Sequence, residues 1–381
     1  MSLKHDSLVL ANNNFSMYLS TFSKICRLAF SLLLTILFIG CKQKSKEISI
    51  TEEEYSQPSG QVIGLKKLSE YKKFELPLKN MVPVAGVIPY DLNSSLFTDY
   101  AFKKRFIFLP DGTAMTYKEA ETFDFPDGSL IFKFFYYPKD FRQPEKDLIL
   151  IETRVLNKEN DEWTALTYTW NEDQTDAHLI LSGDKKDINW INESGLNQSV
   201  SYSIPNLIQC KSCHDYKGRM APIGPAARHL NKEYSYSKSG INQIEHFTSL
   251  GKLKGISNLS ECPKIPDYNN AAPSIDQRAR AYLDINCSHC HRAEGPAKNS
   301  ALNLLYSENN PMAYGVMKTP VAAGKGSGGF KYDIYPGHHD QSILYYRMNS
   351  LDPGVTMPEL GKNMIHKEGL ALIRQWIDQM E

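Results

Sequence analysis

Two copies of one five-residue pattern are the residues of this chain whose types and spacing point most directly to chemistry. They are Cys210-Lys211-Ser212-Cys213-His214 and Cys287-Ser288-His289-Cys290-His291. Cys-x-x-Cys-His is the attachment signature of a c-type haem, in which both sulfurs bond the porphyrin covalently and the histidine ligates the iron. With 7 Cys and 10 His in 381 residues, chance would give roughly 0.003 such matches. The sequence therefore predicts two haem c groups, with Cys210, Cys213, Cys287 and Cys290 as attachment residues and His214 and His291 as proximal iron ligands.

Zinc and disulfides are the alternatives for these cysteines. Structural zinc ribbons usually separate their two Cys-x-x-Cys pairs by about 15–20 residues, far fewer than lie between Cys213 and Cys287. A zinc site also does not require a histidine directly after each pair. The pattern therefore favours haem, and no zinc is expected.

The N-terminus predicts export, which covalent haem attachment requires. Lys24 and Arg27 precede an apolar run over residues 28–39, which is too short for a comfortable membrane span, and Gly40-Cys41 closes it. A small residue directly before a cysteine resembles the lipobox of bacterial lipoproteins. We therefore expect a lipoprotein signal peptide over residues 1–40 and a lipid on Cys41 that anchors the chain to a membrane of the cell envelope, facing the periplasm or the outer surface.

Two features of this region leave alternatives open. Phe38 stands where leucine is commoner in lipoboxes, so plain export or a retained signal anchor is the alternative to lipidation. The stretch before Lys24 is long for a signal peptide, and translation starts at either Met1 or Met17. Cys26 is removed with the predicted signal peptide, so Cys262 is the one remaining cysteine without a predicted role.

The charge balance excludes some partners. Lys and Arg together number 43, as do Asp and Glu. A neutral chain without a basic stripe does not predict a nucleic-acid partner. The expected partners are other redox proteins and, through Cys41, a lipid membrane.

The elements that must position the motifs divide the chain into segments. Residues 41–62 are polar and predict a tether, and residues 63–205 show short apolar or alternating runs typical of a β-rich domain. One such pair, 106–109 and 113–117 around Pro110-Asp111-Gly112, predicts a hairpin. Residues 206–273 form the predicted first haem region and residues 274–381 the predicted second haem domain, which resembles class I cytochromes c. The expected fold class is therefore α+β and multidomain: an N-terminal β-sandwich-like domain followed by two mainly α-helical haem domains.

The second haem region contains two helix signals and a candidate distal ligand. Ser274 and Gln277 form a capping-box pattern for a helix that leads to Cys287. Met357, in a Met-Pro-x-Leu-Gly loop before the terminal helix, resembles the distal-ligand loop of class I cytochromes c. Core packing is the alternative for Met357.

The first haem region contains no such loop. Its side chains able to ligate iron after His214 are Met220, His229 and His246, of which His246 ranks first. An open iron, or a ligand from the β-rich domain, is the alternative. The sixth ligand of this haem stays unassigned.

Most of residues 65–381 is similar to an uncharacterised family of exported bacterial di-haem c-type cytochromes with an N-terminal β-rich region. The stretches that carry the resemblance are 95–100, 151–154, 174–177, 223–225, 278–283, 321–324 and 357–361. The resemblance implies electron transfer through two haems in an exported protein.

Three functions are compatible with this sequence. The leading one is a membrane-tethered, non-enzymatic electron carrier. The alternative is a di-haem peroxidase-like enzyme with an open coordination site at the first haem, although no distal acid or base is identifiable. A sensor in which the β-rich domain binds a ligand is the third.

Overall fold

The structure is a computed structural model, and it describes residues 64–236, 240–321 and 323–381. The predicted signal peptide, Cys41, the start codon and the whole predicted tether lie outside these ranges. Residues 64–381 form one compact unit. None of the helices in the described ranges has the length and apolar character that a membrane crossing needs.

The strands and helices alternate with long loops. The strands are β1 (Val87–Tyr90), β2 (Phe102–Phe108), β3 (Met115–Thr116), β4 (Leu130–Pro138), β5 (Leu148–Glu159), β6 (Glu162–Trp170), β7 (Ala177–Ile180), β8 (Asp184–Ile191), β9 (Asn197–Ile204), β10 (Asp215–Tyr216), β11 (Arg219–Met220), β12 (Glu233–Tyr234), β13 (Ile241–Asn242) and β14 (Leu253–Lys254). The helices are α1 (Leu207–His214), α2 (Ala227–Leu230), α3 (Gln243–Ser249), α4 (Ile275–Leu283), α5 (Ile343–Met348) and α6 (Lys367–Asp378), with a π-helical turn at Asp284–Ser288.

A six-stranded antiparallel sheet, in the order β1-β2-β4-β5-β6-β7, is the main scaffold. Its outer face is aromatic, and Phe74 from the N-terminal segment packs edge-on against Phe106, Phe132 and Phe134. Such edge-to-face pairs contribute beyond simple area burial. Both faces of β4 are buried, so the sheet is covered on both sides.

Two separate clusters cover the inner face of the sheet. At one end, Ile107, Ile131 and Leu156 share a core with residues of α4 and α6. At the other end, Phe135 and Tyr137 pack against the β8–β9 hairpin. Because residues two apart in a strand share a face, Lys133 lies between these two apolar clusters.

The expected pair of mainly α-helical haem domains is wrong. The structure of the described residues is mostly β, with a helical content of 23%. Proline recurs through residues 222–358, and it removes a backbone donor and disfavours helix in the preceding residue. The two longest helices, α4 and α6, lie in the proline-free stretches 274–295 and 359–381.

The predicted hairpin around Pro110-Asp111-Gly112 is also wrong. A turn does form, since Thr113 N donates to Pro110 O over 3.2 Å. Strand β3, however, pairs in parallel with β14, with Met115 opposite Leu253. The β-rich region and the first haem region thus share a sheet as well as a core.

Candidate haem-attachment site

The first motif lies on α1, directly after the last strand of the β-rich region. Strand β9 ends at Ile204, and Asn206 begins the helix by accepting a bond from Gln209 N over 2.9 Å. The Gln209 side chain bonds back to Asn206 N, which completes a capping box. Helix α1 rests on β6, where Cys210 Sγ lies 3.8 Å from Thr167 Oγ1. The first motif is therefore seated on the inner face of the sheet.

The second motif follows α4, as the capping-box pattern predicts. Ser274 and Gln277 make the reciprocal cap, and the helix continues through the π-helical turn to Cys287. His291 N bonds Cys287 O over 3.0 Å, so the motif itself is helical. Cys287 and His291 thus lie one turn apart on one face.

Both predicted proximal histidines are held through Nδ1. His214 Nδ1 lies 2.8 Å from Ala221 O, which can only accept, so this nitrogen carries the proton. His291 Nδ1 lies 3.0 Å from Ser300 Oγ, whose own hydrogen goes to Ala297 O. Each ring is therefore the tautomer that leaves the Nε2 lone pair for a metal.

Both histidines are also neutral near pH 7. Burial lowers the pKa of His214 to about 4, although the Ala221 carbonyl acts in the opposite direction. Burial likewise lowers the pKa of His291 to about 4, and the charges of His289 and Arg347 add to this shift. A metal at either Nε2 would not have to displace a proton.

The two motifs touch each other. The ligating atoms of Cys213, His289 and Cys290 lie within 4.8 Å of one another, and Cys290 Sγ lies 4.0 Å from Ser212 O. The proximity of Cys290 and His289 lowers the pKa of the Cys213 thiol, against the effect of burial. The segments that follow the motifs are also joined, since Lys217 N donates to Glu294 O over 2.9 Å.

The donor set distinguishes haem from a simple metal ion. The Cys213–His289–Cys290 cluster offers three ligands within the described residues, whereas structural zinc takes four. It also leaves out His214 and His291, whose tethered rings are typical of metal ligands. Two haem groups use both histidines and all four cysteines, so the residues present fit haem c better than a shared zinc.

Met357 lies in a loop that faces the second motif. Its N donates to Arg347 O, and Lys362 Nζ donates to its carbonyl, both over 3.1 Å. Arg347 is near enough to His291, and Lys362 to Cys287, for their charges to act on the pKa values of those groups. The Met357 side chain is half-buried. Its role as distal ligand stays a prediction.

The candidate ligands of the first haem lie in different surroundings. Met220 lies on the β10–β11 hairpin. The carbonyl of the next residue, Ala221, accepts from His214 Nδ1, so the Met220 segment is held on the Nδ1 side of that ring. His229 is buried, with Nε2 3.1 Å from Asp284 Oδ1, while half-buried His246 stacks on Tyr236. None of these contacts assigns the sixth ligand. Cys262 is buried, with its thiol 3.7 Å from Asn258 O.

Two groups of charged residues were missed by reasoning from the sequence. One is a row of cations on the inner face of the sheet beside the first motif. The other is the buried Arg228–Asp284–His229 cluster that joins the two motif segments. Lys133, in the middle of the otherwise apolar and aromatic run Leu130–Tyr137, was the signal that could have revealed the row.

Comparison of the chain with models of protein families, with curated proteins and with solved structures finds no match. The resemblance to exported di-haem cytochromes therefore stays a prediction.

Proposed function

We propose that this protein is an exported di-haem c-type cytochrome that transfers electrons between redox partner proteins, tethered to a membrane through a lipid on Cys41. One observation carries the proposal: both Cys-x-x-Cys-His motifs present a neutral histidine held through Nδ1, with Nε2 left for iron. That arrangement is what a proximal haem ligand requires.

The residues of the chain have distinct roles in this function. Cys210, Cys213, Cys287 and Cys290 hold the two haem groups, which supply one-electron transfer when bound. Ala221 and Ser300 orient the proximal histidines. Because Cys213 and Cys290 are in contact, the attachment points of both groups lie side by side, which favours electron exchange between them.

Covalent haem content tests the proposal. The full chain is produced in a bacterial host with its periplasmic haem-attachment machinery and separated on a denaturing gel. We expect two haems per chain by pyridine haemochrome and haem stain. Replacing Cys210 and Cys213 by alanine should remove one haem, and replacing Cys287 and Cys290 should remove the other.

The control is Cys262→Ala, a buried cysteine outside both motifs, which should keep both haems. A chain that carries zinc and no covalent haem would contradict the proposal. Lipidation is tested separately: Cys41→Ala should move the protein from the membrane to the soluble fraction without changing its haem content.

A further inference from the structure

Four cations lie on the inner face of the sheet. In the strand register, Arg105 of β2 stands opposite Lys133 of β4, and Lys133 stands opposite Arg154 of β5. Lys103 lies two residues before Arg105 on the same face. The charged groups of Lys103, Lys133 and Arg154 all lie within 5.8 Å of the centre of the Phe135 ring.

The acids of the sheet do not balance this charge. Glu152 accepts two bonds from Arg154, at 2.5 and 2.9 Å, and a third from Tyr202. Asp91 pairs with Arg105 at 2.9 Å but also with Lys232 at 3.1 Å. Glu152 and Asp91 thus pair with Arg154, Arg105 and Lys232, and within the described residues Lys103 and Lys133 have no ion-pair partner.

The remaining donors are poorly satisfied. Lys103 Nζ bonds the Ala101 carbonyl, and the buried carboxyl of Asp99 adds only a longer-range attraction. Arg105 is 5% exposed, and its Nη2 has no hydrogen-bond partner. Within the described residues, the ammonium group of Lys133 has neither a hydrogen-bond partner nor an ion-pair partner.

Such a row is costly unless an anion joins it. Burial lowers the pKa of Lys103 to about 7, with Arg105 and Arg154 adding to the effect. Burial and the neighbouring cations hold the pKa of Lys133 well below its ordinary value. An uncompensated buried charge is destabilising, so an anionic partner would stabilise the folded protein.

The row begins at the first attachment cysteine. Cys210 contacts Thr167 of β6, and Thr167 stands opposite Arg154 in the register. Neighbouring strands are about 5 Å apart, so Lys133 lies about 10 Å and Arg105 about 15 Å from Thr167 across the sheet. This span is comparable to the distance from the vinyl edge of a haem to its propionate edge.

One further observation supports an occupant at this position. Lys103, Lys133 and Arg154 are half-buried, so part of each side chain stays accessible between the two apolar clusters of the inner face.

We propose that Arg105, Lys133 and Arg154 bind the propionate carboxylates of the first haem. This inference rests on the proposed function, because it requires a haem on Cys210 and Cys213. The cations stabilise the ionised propionates, and Arg154 keeps its bonds to Glu152. The sheet would therefore hold the first haem by its propionates, which lie on the opposite edge of the porphyrin from the thioethers.

The test compares Lys133→Met and Arg105→Met with Lys104→Met, a lysine of β2 on the opposite face of the sheet. The full haem-loaded chain is titrated electrochemically across pH, with each haem followed separately. Loss of a cation disfavours ionised propionate, so its pKa rises and the matching step in the pH profile moves to higher pH. We expect that shift and a lower potential for the first haem only, and neither change in Lys104→Met.

Lys133→Arg keeps the charge and should restore the potential of the unmodified protein, which separates lost charge from damaged folding. The inference fails if Lys133→Met and Arg105→Met match Lys104→Met. It also fails if added phosphate shifts the first potential of the unmodified protein and Lys133→Met removes that response, because a free anion would then occupy the row. The haem count of the unmodified protein is measured first, so absence of covalent haem overturns the proposed function by itself.

Discussion

The two predicted proximal histidines are held by different kinds of hydrogen-bond acceptor. His214 bonds a backbone carbonyl, which a side-chain substitution cannot remove, whereas His291 depends on the single hydroxyl of Ser300. A hydrogen bond that accepts from Nδ1–H makes the imidazole a stronger donor to iron and favours the ferric state. The two sites are therefore open to separate tests.

Ser300→Ala should raise the potential of the second haem and leave the first unchanged. The loss of the acceptor weakens His291 as a donor, and changes at such partners alter metal affinity by about 10–100-fold. Potentiometric titration of both haems measures the effect. Ser212→Ala, on the exposed side of α1, is the matched control. Equal potentials in Ser300→Ala and the unmodified protein would mean that the Nδ1 contact does not tune the iron.

Met357→His should lower the potential of the second haem and leave its covalent attachment intact. A thioether opposite an imidazole favours reduced iron, and a second imidazole does not. Visible spectra and potential report the change. Met312→His, at a methionine that is 60% exposed, should alter neither. A Met357→His protein indistinguishable from that control would show that another residue ligates this iron.

At the scale of elements, a buried ionic cluster joins the segments that carry the two motifs. Asp284, in the turn before Cys287, accepts from Arg228 at 3.1 Å and also contacts His229 at 3.1 Å. The backbone N–H of Tyr306 also donates to Asp284 Oδ2 over 2.8 Å. Burial alone would raise the pKa of Asp284, but Arg228 and His229 hold it well below its ordinary value.

Asp284→Asn should therefore destabilise the fold by about 3–5 kcal/mol, because it leaves Arg228 half-buried without its counter-charge. Chemical denaturation at pH 7 measures the loss. Asp352→Asn, which breaks an exposed pair with Lys325, should cost less than about 1 kcal/mol.

The pH dependence has a defined sign. The folded pKa of Asp284 is depressed, so its contribution is complete above the unfolded value of about 3.9 and disappears as pH falls through the folded value. The difference in unfolding free energy between the unmodified protein and Asp284→Asn should thus be constant near neutral pH and become smaller in acid. A difference that grows as pH falls would contradict this assignment.

At the scale of the whole molecule, the sheet and the two segments predicted to bind haem share one core. The inner-face residues Ile107, Ile131 and Leu156 share one core with Tyr282 and Trp376. Strand β3 also pairs with β14, which lies beyond the β-rich region in the sequence. The fold therefore depends on long-range contacts between segments that the sequence presents as separate.

Residues 64–205 alone should not fold cooperatively, because their inner face would be exposed to water. Relative to residues 64–381, this fragment is expected to bind a hydrophobic dye and to show no sharp thermal transition by circular dichroism. A fragment with a sharp transition and no dye binding would show that the β-rich region has a sufficient core of its own.

The sequence by itself determined the features that are local in the chain. A Cys-x-x-Cys-His motif needs only five consecutive residues, and the capping box of α4 needs only Ser274 and Gln277. The β character of residues 63–205 was visible for the same reason, because alternation is read within one strand.

Only the tertiary structure decided which of these local features meet. The expectation of two mainly α-helical haem domains was wrong because the helices of the described residues are few and short, and α4 and α6, which pack against each other, share their core with residues of the sheet. The contact of Cys213 with Cys290, the pairing of β3 with β14, and the alignment of Arg105, Lys133 and Arg154 all depend on strand register and on long-range packing. No local pattern encodes them, because each joins residues far apart in the chain whose proximity the whole core determines.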